Sequence, residues 1–279
     1  MKVKDIMSKD LIVGHVPGKI EDALEILAQH NVSGIPILKK DTKKVAGVLT
    51  RSDIFKNPDE TQLALVMKKD FQYIKPDDEI KKAAKLFYEH RIHGLPVIND
   101  KDELVGIISP TEILKQLSEK EDDTVEKYYT NRAAPVYEET PINVAMEIIN
   151  ITHQNALPVI GEDLKLSGIV TDGDVFKLGK VKEGIESSNL GMGDDEDQWT
   201  WEGIRDTIRL YHATSEIKFP KIPVKKIMVK DVLKALRTTP VCETAKKMVK
   251  KDISQIPIVN DNKRLIGMIT DIDLMPCLY

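Results

Sequence analysis

Cysteine is almost absent: the 279 residues hold two, Cys242 and Cys277, and no Cys-x-x-Cys pair. That argues against a disulfide framework or a zinc knuckle and points to a reducing interior. Aromatic residues make up only 5% of the chain, so its cores must be built from Val, Ile and Leu rather than from rings. No stretch approaches the roughly 18 consecutive apolar residues of a membrane span. The opening Met1-Lys2-Val3-Lys4-Asp5 has no apolar signal core. These absences predict a soluble, cytoplasmic protein with no membrane partner. Positive charge is not in excess either. The formal net charge is −4, which disfavours a polyanion-binding surface, and so nucleic acid, while leaving room for a local basic pocket. There is no Gly-x-x-x-x-Gly-Lys-[Ser/Thr] loop, no His-Glu-x-x-His and no Gly-x-Ser-x-Gly elbow. The expectation is a protein that is not an enzyme and uses no catalytic cofactor. His90 and His93 lie three apart near a helix end with no third ligand in sight, so no metal site is expected.

What is present is a repeat. Gly34-Ile35-Pro36, Gly94-Leu95-Pro96, Ala156-Leu157-Pro158 and Gln255-Ile256-Pro257 share one register. The first three lie about 60 residues apart, and the last gap is one repeat plus an insertion. Each proline opens a short apolar run, as in Pro96-Val97-Ile98, where a strand can begin without losing a ladder donor. A polar turn and a second apolar run follow, such as Gly106-Ile107-Ile108, predicting a hairpin. Ahead of each hairpin, apolar residues recur at helical spacing: Ile20, Ala23, Leu24 and Leu27, or Ile80, Ala83, Ala84 and Phe87. After each hairpin stand Thr50-Arg51-Ser52-Asp53, Ser109-Pro110-Thr111-Glu112, Thr171-Asp172-Gly173-Asp174 and Thr270-Asp271-Ile272-Asp273. A hydroxyl followed three residues later by an acid is a helix-capping signature. The unit is therefore β-α-β-β-α, in an α/β (α+β) fold. Repeats are expected over 1–60, 61–120, 121–178 and 218–279, with an insertion at 179–217.

The [Gly/Ala]-apolar-Pro-[Val/Ile] hairpin followed by Gly-x-x-[Ser/Thr]-x-x-[Asp/Glu] resembles the CBS repeat, over about residues 1–178 and 218–279. Four copies in one chain resemble the nucleotide-sensing gamma subunit of AMP-activated protein kinase and its stand-alone microbial relatives. The resemblance implies that repeats one and two pair, that three and four pair, and that the two modules form a disc with pseudo-symmetric central clefts for AMP, ADP or ATP. It also implies a ribose-binding role for Asp53, Glu112, Asp174 and Asp273, since a carboxylate has oxygens enough for both hydroxyls of a vicinal diol. Glu112 departs from the pattern by one methylene. Thr50, Ser109, Thr171 and Thr270 would stand beside the phosphate at a helix N-terminus. The same Thr-x-x-Asp spacing serves equally as a cap with no ligand at all.

The resemblance further implies an apolar adenine slot. One wall would be Ile12, Gln72, Ala134 and Leu233 on the irregular first strands of the partner repeats. The other would be Val48, Ile107, Ile169 and Met268 on the hairpins. These hairpin residues also fit plain core. In the kinase subunit a His or Arg precedes the Leu-Pro and meets phosphate. The matching positions here are Ser33, His93, Asn155 and Ser254, of which His93 alone is basic. Arg51, Arg91, Arg132 and Arg237 are the candidate replacement cations, each equally able to be a solvated surface residue.

The insertion contains Gly191-Met192-Gly193, an acidic run at Asp194–Asp197, and both tryptophans, Trp199 and Trp201. It reads as a mobile loop followed by an amphipathic helix through Trp201, Ile204, Ile208 and Tyr211. The expected function is a regulatory, energy-sensing module that binds adenine nucleotide and acts on an unidentified protein partner, kinase-like or another enzyme, as a monomeric disc or homodimer. Two alternatives stay open: a module for another adenosyl metabolite such as S-adenosylmethionine, which is cationic and needs no basic groups, and an interaction scaffold with no ligand.

Overall fold

The computed structural model describes residues 1–57, 60–117, 123–176, 180–189, 209–218 and 222–279. Repeat one is β1 (Gly14–Val16), α1 (Ile20–Gln29), β2 (Gly34–Lys39), β3 (Val45–Thr50) and α2 (Arg51–Lys56), with a short α3 (Leu63–Val66) leading out of it. Repeat two has α4 (Ile80–His90), β4 (Leu95–Ile98), β5 (Leu104–Ile108) and α5 (Pro110–Leu114). Repeat three runs through β6 (Val136–Tyr137), α6 (Ile142–Thr152), β7 (Ala156–Ile160), β8 (Leu166–Thr171) and α7 (Asp172–Phe176). After an antiparallel pair of strands, β9 (Lys180–Asn189) and β10 (Arg209–Lys218), repeat four supplies α8 (Val241–Lys251), β11 (Gln255–Val259), β12 (Leu265–Thr270) and a closing 3-10 helix, Ile272–Leu278.

The hairpin of each repeat is antiparallel and slips register at the same place, between Ile37 and Leu38, Val97 and Ile98, Val159 and Ile160, and Ile258 and Val259. The irregular first strand runs parallel to the first hairpin strand of its own repeat. It is short in β1 and β6 and shrinks to single bridges, Ile74 with Val97 and Ala235 with Ile258, in repeats two and four. Binary patterning explains the helices. In α4, Ala83, Ala84 and Phe87 are buried while Lys81, Lys82 and Lys85 face water.

The repeats exchange their leading segments. The residues before repeat one reach repeat two, where Ser8 and Ile107 trade two backbone hydrogen bonds of 2.8 and 3.0 Å. The residues before repeat two return to repeat one through Lys68 and Val48. Thr130 with Met268 and Val229 with Ile169 repeat the exchange between repeats three and four. Each crossing lies over the glycine at the third position of the second strand. A Cβ at Gly106 or Gly168 would stand 2.4 or 2.5 Å from the sulfur of Met7 or Met228. This exchange builds the expected pairs, one with two and three with four.

Helices close the ring. A single hydrophobic core unites Phe87, Leu95 and Ile113 of repeat two with Val241, Met248, Ile256 and Leu274 of repeat four. Phe55 of repeat one packs against the core of repeat three. The order around the disc is thus one, two, four, three.

The expected helix through Trp201, Ile204, Ile208 and Tyr211 is corrected in its last part. Tyr211 lies on β10, opposite Ser187 on β9. Helical spacing of apolar residues is a weak signal where a long hairpin partner is available to pair every backbone group. Trp199, Trp201, Ile204, Ile208 and the acidic run lie outside the described residues.

Candidate functional site

Burying a charge is costly unless it is paired, so buried charges locate a site better than pockets do. Among the described residues five polar side chains are buried, and four of them are Arg51, Asp53, Asp271 and Asp273. The fifth, Thr244, simply donates its hydroxyl to the Pro240 carbonyl. The four charged ones gather where the four repeats converge.

The acids share one local geometry. Asp53 Oδ2 accepts from the Thr50 N–H at 2.9 Å and from its hydroxyl at 2.6 Å, and Thr50 Oγ1 accepts in turn from the Asp53 N–H at 3.3 Å. Asp174 with Thr171 and Asp273 with Thr270 repeat this box. Glu112 with Ser109 makes the same two bonds through Oε2. One oxygen of each acid is therefore consumed by capping, and what distinguishes the clefts is the other oxygen. Asp53 Oδ1 meets Lys68 Nζ at 2.9 Å, from the exchanged segment of repeat two. Glu112 Oε1 lies 3.8 Å from Lys115 on its own helix. Asp273 Oδ1 is held at 2.7 Å by Arg91 Nη1, from the opposite module. Asp174 has no cation on its second oxygen among the described residues.

The residue after each hydroxyl forms a second layer. The N–H groups of Arg51, Asp172 and Asp271 donate to the carbonyls of Ser33, Asn155 and Ser254 at 2.8–3.0 Å. Pro110 has no such donor, so repeat two lacks this tie. Across the centre, Arg51 of repeat one faces Asp172 of repeat three at 3.6 Å. His93 of repeat two reaches both repeats of the other module: Asn155 Nδ2 donates to its Nε2 at 2.9 Å, and its Nδ1 lies 3.6 Å from Asp271. Burial pushes the Asp172 carboxyl above the ordinary aspartate range, opposed by the Arg51 guanidinium and the Gly173 N–H. At the position after the hydroxyl, repeat one places a cation, Arg51, against the acid Asp172 of repeat three.

The expected positions divide accordingly. Arg51, Arg91, His93 and Asn155 come together. Arg132 is exposed and is tied down through its backbone, and Arg237 pairs loosely with Glu126 at 3.8 Å. Ser33 is exposed, and the Ser254 hydroxyl turns to Gln255. Ile12 and Ala134 are half-buried against the cores of their own repeats rather than a partner's, because the segment each repeat lends its partner lies earlier. Gln72, Leu233, Val48 and Ile107 are half-buried as well. Ile169 and Met268 join Ala156 in an apolar patch completed by Ala133 and Val232, one residue before the expected Ala134 and Leu233. In extended chain that one-residue shift changes which face a side chain takes. Helices α2, α5 and α7 have only six, five and five residues, so the partial positive charge at their N-termini is smaller than that of a long helix.

Lys68, Asp172 and Asp271 were missing from the expected site. A signal for the exchange was there. Ile6-Met7, Val66-Met67, Tyr128-Tyr129 and Ile227-Met228 all precede their prolines at one fixed spacing. No group of His, Cys, Asp and Glu suited to a metal occurs among the described residues, and no helix there is long and apolar enough to cross a membrane.

Over its full length the chain is similar to uncharacterized protein MJ1225 of Methanocaldococcus jannaschii, with 22% identity across 98% of this chain and 97% of that one. The crystal structure of MJ1225, described as a proposed archaeal homologue of g-AMPK, superposes with a TM-score of 0.78 at 20% identity and full coverage of both chains. An uncharacterized conserved protein from Pyrococcus horikoshii gives a TM-score of 0.66 at 26% identity, again over both whole chains. The CBS domain model matches residues 3–60, 63–119, 125–180 and 224–278, and with all four repeats accounted for, the chain belongs to the CBS-domain family.

Proposed function

We infer that the chain is a regulatory module that binds adenine nucleotides, AMP, ADP or ATP, in its central clefts and conveys their level to a partner protein, with no catalysis of its own. The observation that carries this reading is the concentration of buried charge at the centre of the ring. Asp53, Asp174 and Asp273 each keep one oxygen fixed in the box and the other outside it, where in Asp53 and Asp273 it already accepts from Lys68 and Arg91, and a ribose diol would use such an oxygen. Arg51, Arg91 and Lys68 bring positive charge to the same region, which suits phosphates. A nucleotide would act on a partner by favouring one packing of the two modules over another, and only to the extent that it binds the two packings with different affinity.

One observation favours a second reading for part of the site. Asp172 and Asp174 of repeat three stand together with acids in excess, a setting friendlier to a cationic adenosyl metabolite such as S-adenosylmethionine. Isothermal titration calorimetry of the full chain against AMP, ADP, ATP and S-adenosylmethionine separates the two. Nucleotide binding weakened by about tenfold or more in Asp53→Ala, Asp174→Ala or Asp273→Ala, with folding intact, is the expected result. Silence from all three nucleotides would overturn it, and binding of S-adenosylmethionine alone would put the second reading in its place.

A further inference from the structure

Arg91 occupies a backbone position that an arginine does not favour. It ends helix α4 in the left-handed region, at φ 51°. The corresponding helix ends in repeats one, three and four are Asn31, His153 and Asp252, residue types that tolerate this conformation far better. Glycine would be easiest there. The side chain gives the reason for an arginine: its guanidinium crosses from the first module to the second and holds Asp273 Oδ1 at 2.7 Å. Asp273 is 8% exposed at its side chain, and its other oxygen is committed to Thr270. Arg91 itself is half exposed, so it is free to turn elsewhere.

We propose that Arg91 makes the repeat-four cleft select adenosyl ligands that carry phosphate, and that filling this cleft breaks a tie between the two modules. The inference rests on the nucleotide reading above. A ribose can take the outer oxygen of Asp273 only by displacing the guanidinium. That exchanges an ion pair for hydrogen bonds from neutral hydroxyls, a loss unless the freed guanidinium finds another anion. A phosphate on the same ligand supplies one. Adenosine supplies none, and S-adenosylmethionine brings further positive charge. The repeat-three cleft is the internal control. Asp174 makes the same box without a cation on its second oxygen among the described residues, so a ribose there displaces nothing. Lys68 beside Asp53 is a milder gate, being a flexible ammonium 57% exposed and contributed from within the same module.

The test follows Met268 and Met275, which lie on the second hairpin strand and the closing helix of repeat four on either side of Asp273, by 13C-methyl NMR of the full chain. AMP and adenosine are titrated against the wild type, Arg91→Gln and Arg91→Lys. In the wild type AMP should be favoured over adenosine by about tenfold or more. In Arg91→Gln that ratio should fall to near one, with adenosine gaining affinity, and Arg91→Lys should lie between. An unchanged ratio in Arg91→Gln, or an equal loss for both ligands, overturns the proposal while leaving nucleotide binding in place. If neither AMP nor adenosine moves the two methyl signals in the wild type, the nucleotide reading of this cleft falls with it. Arg91→Lys keeps the charge and the helix end, so it decides the matter even if Arg91→Gln does not fold.

Discussion

Asp174 and Asp273 sit in the same hydrogen-bonded box, with the same partner types at nearly the same distances. Their second oxygens differ. One lacks a cation among the described residues, and the other is clasped by an arginine from the opposite module. The comparison teaches that the hydroxyl-x-x-acid box is the constant part of the four repeats of this chain. Individual character comes from across the ring, through residues that belong to another repeat. The same holds two residues before the acid, where Arg51 in repeat one becomes Asp172 and Asp271 in repeats three and four, so that Arg51 of the first module faces Asp172 of the second.

The largest effect expected from breaking this comparison comes from the core under Arg91. Phe87 lies one turn before it on α4 and is wholly buried between repeats two and four. Phe87→Ala should cost about 3–5 kcal/mol in denaturant unfolding. It should also loosen the Arg91–Asp273 contact while sparing the Asp174 box, which has a core of its own. A loss below about 1 kcal/mol would mean that repeats two and four do not share one packed core.

A smaller effect sharpens the contrast between repeats three and four at the exchanged segments. A Cβ at Gly267 would meet the Thr130 carbonyl oxygen at 2.4 Å and the Tyr129 ring at 2.6 Å. At Gly168 the nearest atom is the flexible Met228 sulfur, at 2.5 Å. Backbone and ring cannot yield as a thioether can, so Gly267→Ala should lose about 2–3 kcal/mol and Gly168→Ala about 1. Thermal melts of the two variants side by side provide the check, and equal losses would show that the crossing in repeat four is no tighter than in repeat three.

These contrasts also mark what the sequence could convey. Repeat register, hairpins and helices were legible because each depends on local periodicity and on Pro and Gly at fixed positions, whereas the pairing of repeats came only from the resemblance to the CBS repeat. The acids were legible as a set for the same reason. Their differences were not, since Lys68, Arg91 and Asp172 act on partners far away in the chain, and no local pattern encodes an ion pair across a ring. The apolar patch holds Ala133 and Val232, each one residue before the expected Ala134 and Leu233, and first strands as short as those of repeats three and four fix a face only in three dimensions. The insertion misled through its apolar spacing: Tyr211 fits a helix on paper and a strand opposite Ser187 in space.

The smallest effect concerns charge at the centre of the acidic module. Burial raises the pKa of Asp172 from its ordinary 3.8, against the opposing pull of Arg51, the Gly173 N–H and His93. The folded chain therefore holds this proton more tightly than the unfolded chain does. By linkage, the contribution of Asp172 favours the fold at low pH and is lost as pH rises from the unfolded value through the raised one, after which it stays constant. Asp172→Asn cannot ionise and escapes that loss. Urea unfolding of both proteins across the acidic range should then show the variant gaining on the wild type as pH rises through this window, and levelling off above it. Curves that run parallel would mean that Arg51 offsets the burial of Asp172 in full. In that case the cationic face of the first module would neutralise the acids of the second, and repeat three would have no surplus negative charge with which to favour a cationic ligand.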